Sequence, residues 1–433
     1  MQKFRIIILV VCAGLVLLCE VAQAFTTPQL PSIPSGNFNV TKFGAVGDGV
    51  ATNTAAIQAA IDAASAAGGG MVEISPGTFL SGPIHLASDI NFHLDGGAEL
   101  RMLPIDKYPG GTDFPDNFIT GSELHDVAIS GTGMINGQGI PWWPCAKTFG
   151  ARRPIMIRLT SCTNVLFETV TLSNSPMFHI AVSGRMSNVT VRGLTIRANP
   201  STDPVNPGHN TDACDVSGND ILIENCDISV GDDDFTCGGR TSNVLITNCT
   251  YGYGHGVSIG SPTAGGVSNI MVINCTFNNT EQGIRIKSAR DRGGYIHNMQ
   301  YINLSMTNVL CPILIYGTYE NPDKRYRDLF KLTPEIAATY PTNPVVARTP
   351  IYRDFLFSNI TATVQSNGCA GLIWGLPEME VSNVVLQNVS ITANRPFGIF
   401  DAQNIRLINT KITTPAGIDP LSVTNSQIDI VPE

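Results

Sequence analysis

Charge is scarce in this chain. Only 14% of its 433 residues are Asp, Glu, Lys or Arg, and the formal net charge is −9. The missing basic excess argues against nucleic acid and against anionic membrane surfaces as partners. Aromatic residues are also few, at 7%. After the N-terminus no apolar run is long enough to span a bilayer. No cysteine spacing resembles a zinc site. What the chain has in quantity is glycine, with 42 residues, alongside Asn, Val, Ile and Thr. That mixture suits short strands and turns better than helices.

The N-terminus reads as a targeting segment. Lys3 and Arg5 precede an apolar run from residue 6 to 18, and Ala22-Gln23-Ala24 offers a small-residue cleavage site before Phe25. Residues 1–24 are therefore expected to be an export signal, with 25–433 as one mature domain that is secreted or periplasmic and monomeric. Of 11 cysteines, Cys12 and Cys19 leave with the signal. Cys226, Cys249 and Cys275 each follow an Asn in the same repeat phase and are expected to stack as buried thiols. Pairing among Cys145, Cys162, Cys311 and Cys369 stays open.

One theme recurs along the chain: an Asn or Asp turn, then alternating aliphatic residues. Copies begin at Asp126, Asn164, Asn188, Asp220, Asn243, Asn269, Asn298, Asp354, Asn383 and Asn404, mostly about 21 to 32 residues apart. Strands this short bury nothing alone; stacked coil on coil they build a continuous core, with Asn side chains bonding along the stack. The expected fold is all-β, a right-handed parallel β-helix. The leucine-rich consensus of the rival solenoid is absent. Residues 54–66 have helical spacing through Ile57 and Ile61, with Asn53 as N-cap and Gly68 to Gly70 as a stop, and are expected to form an N-terminal capping helix. Residues 318–350 break the repeat and read as a loop excursion.

Four polar clusters fall in consecutive repeats: Asn210-Thr211-Asp212, Gly231-Asp232-Asp233-Asp234, Gly254-His255-Gly256 and Arg285-Ile286-Lys287. A solenoid brings equivalent positions of neighbouring coils side by side, so these clusters are expected to share one groove. Together they supply carboxylates, a histidine and two cations, the groups needed for acid–base hydrolysis of an acidic sugar polymer. Singly, each has an ordinary explanation as a turn cap or an exposed strand face. His179 and Trp142-Trp143 are open between lining the groove and packing in the core.

In order and spacing the clusters resemble the polygalacturonases, family 28 of the glycoside hydrolases. The flanks GVSIGS at 256–261 and GIRIKS at 283–288 agree, and FGAVGDG at 43–49 is similar to the opening of pectin-degrading β-helix proteins. The resemblance implies hydrolysis of α-1,4-galacturonosidic bonds in pectin or polygalacturonate, with inversion at the anomeric carbon and no cofactor. It gives Asp232 the role of general acid. Asp212 and Asp233 would hold and deprotonate the attacking water, and His255 would adjust the acid's proton or bind substrate. Asn210, Arg285, Lys287 and Tyr319 would bind substrate, Lys287 acting mainly through KM. Asp234 stands where the family often has a small residue. Strand alternation alone would put Asp232 and Asp234 on one face, whereas the motif selects Asp232 and Asp233. Two other readings remain: a Ca²⁺-dependent pectate lyase on a similar scaffold, and a non-catalytic polysaccharide-binding β-helix.

Overall fold

The computed structural model of the protein describes residues 25–432. The segment read as an export signal lies outside the described residues. From Asn37 to Val431 the chain winds as a right-handed parallel β-helix. Among the described residues, 34 strands join into one continuous sheet in which, over most of its length, each strand pairs in parallel with the third one on. Three rows of strands therefore run along the coil axis.

One row carries the chemistry. It includes Ile180–Ser183, Cys214–Val216, Phe235–Cys237, Val257–Ile259, Gln282–Lys287 and Cys311–Tyr316. Its inward positions stack Cys214, Phe235, Val257, Ile284 and Ile313, all fully buried. Its outward positions stack Ala181, Asp215, Thr236, Ser258 and Arg285. The period-two alternation of a strand thus separates a hydrophobic column from a polar one.

The asparagine stacks explain how the coil turns its corners. Asn188, Asp220, Asn243, Asn269 and Asn298 hold φ between 54° and 58°, a left-handed bend that Asn and Asp tolerate better than other non-glycine residues. Their side chains bond from coil to coil, as in Asn188 to Asn164 at 3.0 Å and Asn243 to Asp220 at 3.0 Å. A second stack links Asn274, Asn303, Asn359, Asn388 and Asn409. Cys226, Cys249 and Cys275 lie buried in the core beside such bends.

The capping helix spans Thr54–Ala66 and buries Ile57, Ala60, Ile61 and Ala64 over the first coil. Asn53 precedes it but does not cap it. Its side chain instead accepts from the Val46 amide at 2.7 Å and donates to the Val46 and Ala51 carbonyls. The competing loop takes the polar atoms a cap would have used. The excursion at 318–350 forms short helices, Lys324–Arg327 and Pro334–Ala337, whose Tyr326, Ala337 and Tyr340 pack with Tyr316, Leu372 and Trp374. It covers the outer face of the site-bearing row beyond Tyr316. Cys311, at the start of the strand that leads into the excursion, and Cys369, after the strand that follows it, place their sulfurs 3.4 Å apart.

Candidate active site

The turns that enter the site-bearing row carry the carboxylates. The backbone stitches these turns coil to coil: the His179 amide donates to Asp212 O, Ala213 to Asp233 O and His255 to Asp232 O, at 2.8, 2.9 and 2.8 Å. This register is why three segments distant in sequence present their side chains to one spot.

Asp233 is the electrostatic centre. It is 4% exposed, and its oxygens meet Arg285 Nη2 at 3.1 Å and Lys287 Nζ at 3.0 Å. The Ser258 hydroxyl donates to it at 2.7 Å. Burial alone would raise its pKa, but Arg285, Lys287 and His255 hold it well below the usual carboxylate range. Asp232 is the more open acid, 20% exposed. His255 Nδ1 lies 3.1 Å from Asp232 and 3.5 Å from Asp233, as ion-pair contacts, while its Nε2 lies 3.4 Å from Glu281. Burial and Arg285 act to lower the histidine, and these three carboxylates outweigh them, so its pKa stands well above the usual value. Burial acts to raise Asp232 too, and the His255 contact reverses it, leaving Asp232 below its ordinary value.

Asp212 behaves oppositely. It is buried, and one of its carboxylate oxygens has no hydrogen-bond partner. Burial first, then the charges of Asp232 and Asp233, push it well above the carboxylate range. The environment thus favours the protonated form at Asp212 more than at Asp232, although the family resemblance gives the acid role to Asp232. Asp212 and Asp232 interact, so the proton belongs to the pair.

The structure brings every expected site residue to this place. Asn210 donates to Asp232 at 3.2 Å. Lys287 Nζ lies 5.2 Å from the centroid of the Tyr319 ring, and its strand partner is Tyr316. Lys287 is deeply set against Asp233, where its charge favours the ionised carboxylate. Asp234 turns away from the groove. It is fully buried and accepts from the Gly256 amide at 2.9 Å. Burial raises its pKa well above the usual value. The turn at Gly231 breaks strand alternation, and Asp232 and Asp233 are the pair that faces His255. Gly254 is required there: a Cβ would come within 2.5 Å of the Asp234 oxygens and 2.6 Å of Asp232 O.

Several contributors were silent in the sequence. Arg153 donates to Asn210 at 2.8 Å and to the His209 carbonyl at 2.6 Å, fixing the Asn-Thr-Asp turn from a loop far upstream. Glu281 and Ser258 sit in flanks whose residue types are common in any strand. Asp215 faces the groove one position past the turn; burial, then the charge of Asp233, raises its pKa to about 6. Strand alternation from Cys214 was the one available signal for it. His179 is fully buried with Nδ1 toward the Thr211 and Asp212 carbonyls at 3.1 and 3.3 Å, so it supports the Asp212 turn from within. Trp142 and Trp143 are buried as well, Trp143 donating to Ser175 O at 2.9 Å.

Asp232, Asp233 and His255 lie close enough together to offer ligands to one ion. Arg285 and Lys287 already occupy both oxygens of Asp233. A hard cation such as Ca²⁺ prefers an all-oxygen shell and would meet two fixed positive charges here. The donor set does not fit calcium, which weighs against the lyase reading.

A solenoid groove with clustered acids, a histidine set against three carboxylates and two buried cations fits a polysaccharide-active hydrolase. Residues 68–332 match the glycosyl hydrolases family 28, and the chain belongs to that family. It is 33% identical over 296 residues to a probable polygalacturonase of Arabidopsis thaliana, covering 67% of this chain and 62% of that protein. It is 32% identical over 305 residues to an endo-polygalacturonase of Pectobacterium carotovorum subsp. carotovorum, covering 63% and 73%. Among solved structures, the polygalacturonase of Erwinia carotovora ssp. carotovora superposes with a TM-score of 0.65 at 26% identity, over 94% of this chain and 99% of that one. An exopolygalacturonase of Thermotoga maritima shares the fold with a TM-score of 0.72 at 24% identity, over 92% and 94%.

Proposed function

We propose that the protein is an exported polygalacturonase that hydrolyses α-1,4-galacturonosidic bonds of pectin or polygalacturonate with inversion. The observation that carries this reading is Asp233, held ionised by Arg285 and Lys287 beside an Asp212–Asp232 pair that retains a proton. Family membership and the names of its relatives support it.

Catalysis begins when a galacturonate carboxylate meets Arg285 and Lys287, with Tyr319 beside them. A charge-assisted contact of this kind fixes register along the polymer. The incoming anion offsets Arg285, which together with His255 holds Asp232 low, so the shared proton moves from Asp212 to Asp232. Asp232 then donates it to the glycosidic oxygen as the C1–O bond breaks. Asp212, now ionised, and Asp233 orient a water, and Asp233 takes its proton as the oxygen attacks C1 from the opposite face. His255 stays protonated and stabilises the anionic Asp232 left behind. Asn210 and Arg153 hold the Asn-Thr-Asp turn in place.

The test is product analysis on polygalacturonate with purified protein. Hydrolysis releases saturated galacturonates and new reducing ends at equal rates, and a chelator leaves the rate unchanged. Unsaturated products absorbing in the ultraviolet would assign a lyase, and no turnover on any galacturonan would leave only a binding role.

A further inference from the structure

The cleft continues past His255. A groove of about 520 Å³ starts at Gly231 and His255 and follows the turns of successive coils past Glu281 and Asn308 to Ser366 and Asn367. That volume lies inside the roughly 300–1,000 Å³ of small-molecule sites. Its inner end is the His255 face of the catalytic cluster, so whatever fills it lies next to the scissile bond.

Its chemistry differs from that of the site-bearing row. Among the described residues, no lysine or arginine lines it. Its charged members are Glu281 and His255, which face each other at 3.4 Å and offset one another. Elsewhere hydroxyls and amides such as Ser201, Thr202, Asn279 and Asn308 alternate with the apolar Pro200, Val230 and Leu310. The Tyr253 side chain stands 50% exposed at its edge. Amides and hydroxyls match sugar hydroxyls, and an open tyrosine ring matches the C–H face of a pyranose. A uronate carboxylate here would lose water without gaining a cation and would be repelled by Glu281.

We propose that this groove binds an uncharged sugar unit next to the galacturonate being cleaved; the inference rests on the hydrolase reading above. Two parts of pectin carry that chemistry, a neutral-sugar branch and a methyl-esterified galacturonate.

The test compares kcat/KM on three polymers: unbranched unesterified galacturonan, the methyl-esterified polymer, and galacturonan bearing single pentose branches. Wild type is set against Tyr253→Ala, which removes the ring, and Ser366→Trp, which fills the outer groove from an exposed position. Both variants are expected to lose about tenfold on one of the two polymers with uncharged units, the size of one lost stacking contact. On the unesterified, unbranched polymer they stay within about twofold of wild type. The polymer that shows the loss identifies the source of the neutral unit. Equal losses on all three polymers, or no loss on either uncharged one, would overturn the proposal. Inactivity of wild type on all three would instead contradict the hydrolase reading. Saturation-transfer NMR with a neutral galactose trisaccharide reads the groove without turnover. The signal is expected with wild type and absent with Ser366→Trp, and equal signals would also overturn the proposal.

Discussion

At the scale of single residues, the three consecutive aspartates have three different environments and so three different tasks. Asp233 is ionised by its cations, Asp232 is poised against His255, and Asp234 is folded inward beneath Gly254 and Gly256. Activity needs one proton on the Asp212–Asp232 pair and none on Asp233. The pH profile should therefore be a bell. Its acid limb lies below the ordinary carboxylate range, because Asp233 is depressed; its alkaline limb lies above that range, because Asp212 is raised. Lys287→Ala removes one of the cations holding Asp233, so the acid limb should move to higher pH while KM rises. An unmoved acid limb would show that Lys287 serves only in binding. Asp232→Asn should cut kcat by about a thousandfold with little change in KM, the loss expected for a general acid. His179 supplies a stability test. Burial lowers its pKa from 6.5 to about 4 in the folded state, so the unfolded chain binds more protons between those values. Stability is then full above about 6.5 and falls as pH drops toward 4, by up to about 3 kcal/mol. His179→Gln should flatten that slope in urea melts at a series of pH values.

At the scale of elements, much was legible because the repeat is built from local rules. Asn at a left-handed bend and aliphatic alternation in a strand are both written directly in the chain and yielded the coil, while the spacing of Ile57 and Ile61 before a glycine stop yielded the capping helix Thr54–Ala66. The site motifs were legible for the same reason, since stacking turns sequence order into spatial order. Other features depend on contacts that no local pattern encodes. Asn53 bonds to the Val46 loop instead of capping, Arg153 reaches Asn210 across 57 positions, and Trp142 and Trp143 are interior. The excursion adds a prediction at this scale. In an oxidising compartment, thiol–disulfide exchange with an oxidised donor should join Cys311 to Cys369 and close a covalent loop that contains residues 318–350 and the strand Ile351–Val364. Mass spectrometry after alkylation should find one intramolecular bond between these two. A chain exported and purified in air with both thiols alkylated would contradict it. Cys226, Cys249 and Cys275 should remain unmodified until the chain is denatured.

At the scale of the whole molecule, an acidic protein handles an acidic polymer because charge is sorted along one groove. The net charge is −9, yet Arg285 and Lys287 gather positive charge at the acid cluster, where the proposed mechanism seats the galacturonate, and the groove beyond His255 leads away from them. The solenoid makes this sorting possible, as each coil contributes one rung and long-range order follows from nearest neighbours. Gly254 shows how tightly the rungs are set: Gly254→Ala would drive a methyl into Asp234 and the Asp232 carbonyl and should abolish turnover while leaving strand content by circular dichroism intact. The most direct measurement of the central claim is ¹H NMR of a galacturonate oligomer from the first seconds of hydrolysis. The arrangement of Asp212, Asp232 and Asp233 predicts that the β-anomer appears first at the new reducing end and later mutarotates, and that Asp232→Asn produces neither anomer at a measurable rate. An α-anomer appearing first, or an Asp232→Asn variant that keeps wild-type turnover, would contradict it.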